Sequence, residues 1–382
     1  MAPSLRIGAP LVSSNGGRVS AQVGGTEVWF ESDELPLAGA AEAFASAFLI
    51  PAAARGRQLE LEAAVCPVWR SGAAELLPIV GGWWGYRSAI PSGGALAAIG
   101  RREAQSVALC FSGGVDSFHT LLRRPGNLDL LVAGQGYDIP LADVARMARF
   151  ESSIREVAGA MGLRWCVIRS NIREHPDFSG VSWERTHGGA LAALGHLLRD
   201  AVGRIVISSS AARRDAYPWG SHWETDPLFG SSRLVVEHFG EGARRAEKLA
   251  EIASEPLVRR HLRVCWRNDS EEVNCGRCEK CVRTQVVLAA CGELPRYRLF
   301  AGSGALADRI DRVAAASLPL LLSYQWALDR GLDPRVGRSV RALIRRSRRA
   351  ALAHALAATA TRAARAIIRA PAAPRRLILA RT

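Results

Sequence analysis

A chain of 382 residues with 48% hydrophobic and 23% charged residues is long enough for two or three domains, and its usage is that of a globular protein rather than a disordered chain or a small disulfide scaffold. No apolar run reaches the eighteen or so residues of a membrane-spanning helix, and the opening stretch does not read as an export signal, so a cytoplasmic protein with reduced thiols is expected. The net charge of +14 sits mostly at one end: residues 335–382 hold 13 Arg and no Asp, Glu or Lys, which leaves +1 for the first 334 residues and weakens the argument for a basic, nucleic-acid-binding face on the body.

Taken in order, RVSAQVGGTEVWFE (18–31) alternates around Gly-Gly and predicts a β-hairpin. AGAAEAFASAFLI (38–50) predicts a helix stopped by Pro51, and LELEAAVCPVW (59–69) a strand. Residues 1–100 thus read as a small N-terminal α/β module of unreadable role. From Gln105 the texture changes. Strands are predicted at 106–111, 128–134, 163–169 and 204–210, with helices at 141–162 and 187–202 between them. This alternation predicts an α/β fold, a doubly wound parallel sheet with its site beyond the carboxyl ends of the strands. Residues 300–334 read as a helical extension and 335–382 as an Arg-rich basic tail. There Arg338, Arg341, Arg345 and Arg348 fall on one helical face, fit for anionic lipid or RNA or else simply solvated. Pro371 and Pro374 are expected to end that helix.

Two motifs carry chemistry. FSGGVDS (111–117) joins the predicted strand SVALCF to a segment that opens a helix. Two glycines let backbone N–H groups approach a polyanion, Ser112 and Ser117 add hydroxyls, and the helix N-terminus adds its positive end. The GK[ST] ending of the common triphosphate loop is missing. Downstream, Cys265 precedes NCGRCEKC, whose Cys275, Cys278 and Cys281 have the C-x2-C-x2-C spacing of a thiolate metal site. Structural zinc and an iron–sulfur cluster both remain open there. Cys66, Cys110 and Cys166 lie in strand-like apolar runs and read as core residues.

SGGVDS resembles the pyrophosphate loop of the N-type ATP pyrophosphatases, and its combination with CGRCEKCVRT resembles the 7-cyano-7-deazaguanine synthases of that superfamily over roughly residues 105–290. The resemblance implies an adenine nucleotide alpha hydrolase-like (HUP-type) domain with a four-cysteine zinc element at 265–281. It implies ATP, Mg2+ and Zn2+ as cofactors, with Ser112, Gly113, Gly114, Val115, Asp116 and Ser117 as the phosphate shell and Asp116 near the Mg2+. The activity implied is adenylation of a carboxylate or carbonyl with release of pyrophosphate, followed by attack of ammonia or an amine. The family's tyrosine-proline-aspartate-cysteine stretch is replaced here by DAYPWGSHWETDPLFG. In that region His222 offers an acid or base that Asp226 or Glu224 would orient, or a carboxylate for Mg2+; an ordinary surface histidine is the plainer reading.

Of the 50 basic residues, only Lys248 and Lys280 are lysines, which suggests positions needing a compact ammonium. Lys248 would aim at the α-phosphate, with an exposed ion pair to Glu247 or Glu251 as its alternative. Lys280, between two metal ligands, is expected to cover the metal. His187 reads as a cap or packing residue. A tRNA-modifying enzyme of thiolation or lysidine type, and a non-catalytic nucleotide-binding or membrane-associated module, are the two other functions that fit.

Overall fold

The computed structural model describes residues 4–97, 100, 104–124, 126–268, 271–302 and 304–369, with side chains to residue 357. The chain divides into two compact units between residues 303 and 304. In the first, β1 (Leu5–Ile7), β2 (Leu11–Val12) and the hairpin β3 (Arg18–Val23) to β4 (Thr26–Glu31) open the chain, and β1, β3 and β4 bury alternate side chains. The hairpin turns on Gly24 and Gly25, whose φ of 56° and 88° residues with a Cβ avoid. The helix α1 (Ala41–Ala54) runs through Pro51 instead of stopping there, because burial on nearly every side outweighs the one backbone bond proline cannot donate. The strand expected at 59–69 ends early. It is β5 (Leu59–Leu61), and Cys66 then caps α2 (Pro67–Trp84), where Pro67 takes the first helical position that tolerates a missing N–H. Cys66 is therefore a buried cap rather than a strand residue. A two-residue strand, β6 (Ser92–Gly93), follows.

The apolar runs after Gln105 form β7 (Val107–Cys110), α3 (Val115–Arg123), β8 (Leu130–Gln135), α4 (Val144–Met161) and β9 (Arg164–Ser170). Next come a single turn α5 (Pro176–Ser179), α6 (Trp183–Leu197), β10 (Arg204–Ser208) and β11 (Val235–Phe239). The helices α7 (Arg245–Ile252), α8 (Pro256–His261) and α9 (Glu279–Ala290) complete the unit. Strands β9-β8-β7-β10-β11 lie side by side and all parallel, and the order reverses direction at β7. That reversal opens a crevice at the carboxyl ends of β7 and β10. Both faces are buried. Ala108, Cys110, Leu130, Val132, Ile205 and Ile207 pack with α1 and α6, while Leu109, Leu131 and Val206 point the other way.

The N-terminal strands belong to this sheet. β4 pairs antiparallel with β9 through Phe30↔Ser170 and Glu31↔Arg169, giving one mostly parallel sheet of eleven strands in the order β11-β10-β7-β8-β9-β4-β3-β1-β5-β6, with β2 on β3. Residues 1–100 and 105–290 thus share a backbone ladder and a core in which α1 packs on α6. The second unit contains α10 (Leu306–Asp311), α11 (Leu321–Arg330) and α12 (Pro334–Arg369). Arg346 fastens α12 to α10 by donating to the Ile310 and Val313 carbonyls. Arg338, Arg341, Arg345 and Arg348 are exposed along α12; the expected stop at Pro371 and Pro374 lies outside the described residues. No helix among the described residues is long and apolar enough to cross a membrane.

Candidate functional site

The loop between β7 and α3 sits at the crevice. Gly113 has φ 70°, and its carbonyl accepts the Arg263 N–H at 2.8 Å, so the bend is pinned by the segment leading to the cysteines. Gly114 occupies the N-cap of α3 in an extended conformation, and no side chain caps the helix. Its first N–H groups are left open toward the loop, with Val115 and Asp116 in the first turn. The exposed Ser112 hydroxyl accepts the Gly114 N–H at 3.4 Å, and Ser117 donates to the Gly114 carbonyl at 3.1 Å.

Asp116, in that first turn, is buried and ringed by cations. Its Oδ2 pairs with Arg245 of α7, and the Lys248 ammonium stands 3.7 Å from Oδ1, an oxygen with no hydrogen bond. Burial favours the neutral acid, but Arg245 and Lys248 more than offset it and hold the carboxyl below its usual range. Lys248 is 1% exposed and donates to the Ser209 carbonyl at 2.6 Å, which excludes the exposed ion pair to Glu247 or Glu251. Those glutamates serve Arg214 and His119 instead. Of the two arginines preceding Lys248, Arg244 is spent on Asp215 at 2.6 Å, and only Arg245 reaches the site.

Lys280, in the first turn of α9, is close enough to Asp116 and Arg245 to act on both; burial, and Arg245 next among the cations, lowers its ammonium to about 8. The helix α9 packs on α7. Lys280 therefore adjoins the cysteines, and its charge is felt at Asp116 and Arg245. Two cations paired with one carboxylate, beside an uncapped helix N-terminus, make an arrangement suited to a polyanion.

The four cysteines 265, 275, 278 and 281 are buried, with sulfurs within 4.8 Å of one another and 3.9 Å between those of Cys275 and Cys281. Four thiolates at about 2.3 Å around a tetrahedral ion have sulfurs about 3.8 Å apart, so the set fits a closed metal site with four sulfur ligands. Asn274 braces it: its side-chain oxygen accepts from the Val264 and Cys265 N–H groups at 2.7 and 3.1 Å, and its amide donates to the Leu262 carbonyl at 2.8 Å. Cys291, in contrast, ends α9.

At the carboxyl end of β11 a different network replaces the expected His222–Asp226 pair, while the other expected partner, Glu224, has its carboxylate 3.5 Å from His222 Nδ1. Asp226, fully buried, accepts from Ser221 Oγ at 2.6 Å, from the His222 backbone N–H at 3.2 Å and from His238 Nδ1 at 2.7 Å. The His222 imidazole turns away, its Nδ1 accepting the Glu224 N–H at 3.2 Å and its ring edge-on to Trp83. Asp226 opens the 3-10 turn at 226–229, and its N–H donates to the His222 carbonyl at 2.9 Å. His187 lies within α6, its Nδ1 bonded to the Trp183 carbonyl at 3.0 Å and its ring against Trp219, which stacks in turn on Tyr217.

Comparison of the chain with protein-family models, with curated proteins and with solved structures gives no match. The loop and the cysteines were legible as motifs, and the scarcity of lysine flagged Lys280. Arg263 and His238 carried no signal, one being among 48 arginines and the other in an unrecognised strand.

Proposed function

We propose that the protein is an ATP-dependent ligase-like enzyme of the pyrophosphate-loop class, built on a HUP-type domain, with the four cysteines holding a structural zinc. One observation carries this reading: Lys248 and Arg245 converge on Asp116 beside an uncapped helix N-terminus that follows a Gly-Gly bend. The open N–H groups and the Ser112 hydroxyl would hold the β- and γ-phosphates of ATP. A carboxylate or carbonyl oxygen of the acceptor attacks the α-phosphorus, and the bond from that phosphorus to the pyrophosphate oxygen breaks. Lys248, Arg245 and Lys280 offset the charge that builds on the departing pyrophosphate. Ammonia or an amine then attacks the adenylated carbon, AMP leaves with the bridging oxygen, and the amine gives up a proton. Mg2+ would arrive with the nucleotide, Asp116 Oδ1 being the oxygen this chain offers it. Zinc in the four thiolates would fix the 262–281 segment, which pins Gly113.

The resemblance to 7-cyano-7-deazaguanine synthase supports a small-molecule acid as acceptor. Product analysis across purine-like acids, amino acids and tRNA tests the reaction: AMP and pyrophosphate are expected, and ADP with orthophosphate would overturn it. A tRNA substrate is the second reading, favoured by the exposed arginines of α12. It requires tRNA affinity that falls steeply with salt and is lost on deleting residues 335–382.

A further inference from the structure

A second cleft, of about 190 Å3, lies between α4 and α8. It abuts the phosphate loop, since a Cβ on Gly113 would lie 3.5 Å from Phe150 and 3.4 Å from Arg263, both of which line the cleft. Arg146, Arg149, Arg260 and Arg263 surround it with a single carboxylate, Glu156, which faces His261 at 3.6 Å. Asp143 neutralises Arg146 at 2.7 Å. Arg149, Arg260 and Arg263 have no ion pair among the described residues. Arg263 is half-buried with its guanidinium 5.7 Å from the Phe150 ring, and Arg149 and Arg260 stand exposed on the same cleft.

Asn268 holds this arrangement in place. It is the one non-glycine residue of positive φ among those described, at 53°. Its side-chain oxygen accepts from Arg263 at 3.3 Å, its carbonyl from Arg146 at 3.0 Å, and its amide donates to the Asp138 carbonyl at 2.8 Å. A left-handed asparagine spent on positioning two guanidiniums is strain of the kind that persists at binding sites. Planar forks of this type match carboxylate and phosphate oxygens.

The geometry points to a second anion site: the cleft of Arg149, Arg260 and Arg263 takes a carboxylate or phosphate group. Its assignment to the acceptor, as a second anionic group that does not react, rests on the ATP reading above; the anion binding does not. The Arg263 N–H on the Gly113 carbonyl joins the two sites through one residue.

Calorimetric titration of the full-length chain tests this with succinate and inorganic phosphate as probes of the cleft and pyrophosphate as probe of the loop. In Arg149→Ala/Arg260→Ala, at two exposed positions, affinity for the cleft probes is expected to fall by about tenfold or more, with pyrophosphate affinity retained. Lys248→Ala is expected to do the reverse. Cleft-probe affinity unchanged in the double variant overturns the proposal, as does loss of uncharged adenosine binding there, which would make the cleft a nucleoside pocket. Pyrophosphate affinity indifferent to Lys248→Ala would sink the ATP reading instead and leave the cleft's anion binding standing.

Discussion

A buried lysine is costly unless its charge is used, and Lys248 is buried 3.7 Å from Asp116, which Arg245 already engages, with only Glu241 besides, among the described residues, to draw on its charge. Its surplus charge is therefore available to a ligand. Lys248→Ala is expected to lower pyrophosphate release by about 10²–10³ with the circular-dichroism spectrum unchanged; unchanged turnover would remove Lys248 from the mechanism. Lys248→Arg is not expected to rescue it, because a planar fork does not fit a pocket closed by the Ser209 carbonyl at 2.6 Å and by Gly240, whose Cβ would meet the ammonium at 3.3 Å. At Gly113, φ 70° makes alanine cost about 1 kcal/mol. Gly113→Ala should therefore lower the melting temperature slightly and nucleotide affinity strongly, measured on the same sample.

At the scale of elements, the cysteine-rich segment and the loop are one mechanical unit, because Arg263, two residues before Cys265, binds the Gly113 carbonyl. Metal analysis is expected to give about one zinc per chain in a colourless solution; brown, iron-containing protein would contradict it. Cys278→Ser should lose both the metal and most of the nucleotide affinity, an outcome that metals bound elsewhere would not produce. The strands β7 to β10 were legible because they are buried on both faces and so read as continuous apolar runs. The edge strand β11 was not, since its Glu237 and His238 serve Arg124 and Asp226 and break the pattern. The start of α2 was misread because Val65 to Trp69 is as apolar as a strand, and Pro67, which opens the helix, reads equally as a breaker.

For the whole molecule, nothing in the sequence announced that the N-terminal strands extend the parallel sheet. The junction is a backbone ladder of Phe30 and Glu31 with Ser170 and Arg169, and backbone pairing leaves no residue signature. The same long-range convergence hid the site's Arg263 and the His238–Asp226 pair. Burial also sets the response to acid. His119, His187, His196, His222 and His261 all have pKa values lowered by burial. Below the unfolded value of about 6.5 the unfolded chain binds protons that the folded chain refuses, so stability is present above that pH and falls as pH drops through it. Asp116, held below its usual range by Arg245 and Lys248, and Glu237, held so by Arg124 and Arg204, extend the loss to lower pH. Thermal unfolding should therefore begin at lower temperature at pH 5 than at pH 7; equal midpoints would contradict the five lowered histidines.

The most direct measurement is a crystal structure of the protein soaked with a non-hydrolysable ATP analogue and Mg2+. Density for the β- and γ-phosphates against residues 112–117, with Lys248 and Arg245 turned to the bridging oxygen, is the expected result. Nucleotide bound elsewhere, or the loop closed on Arg263 with no phosphate in contact, would contradict the proposed chemistry.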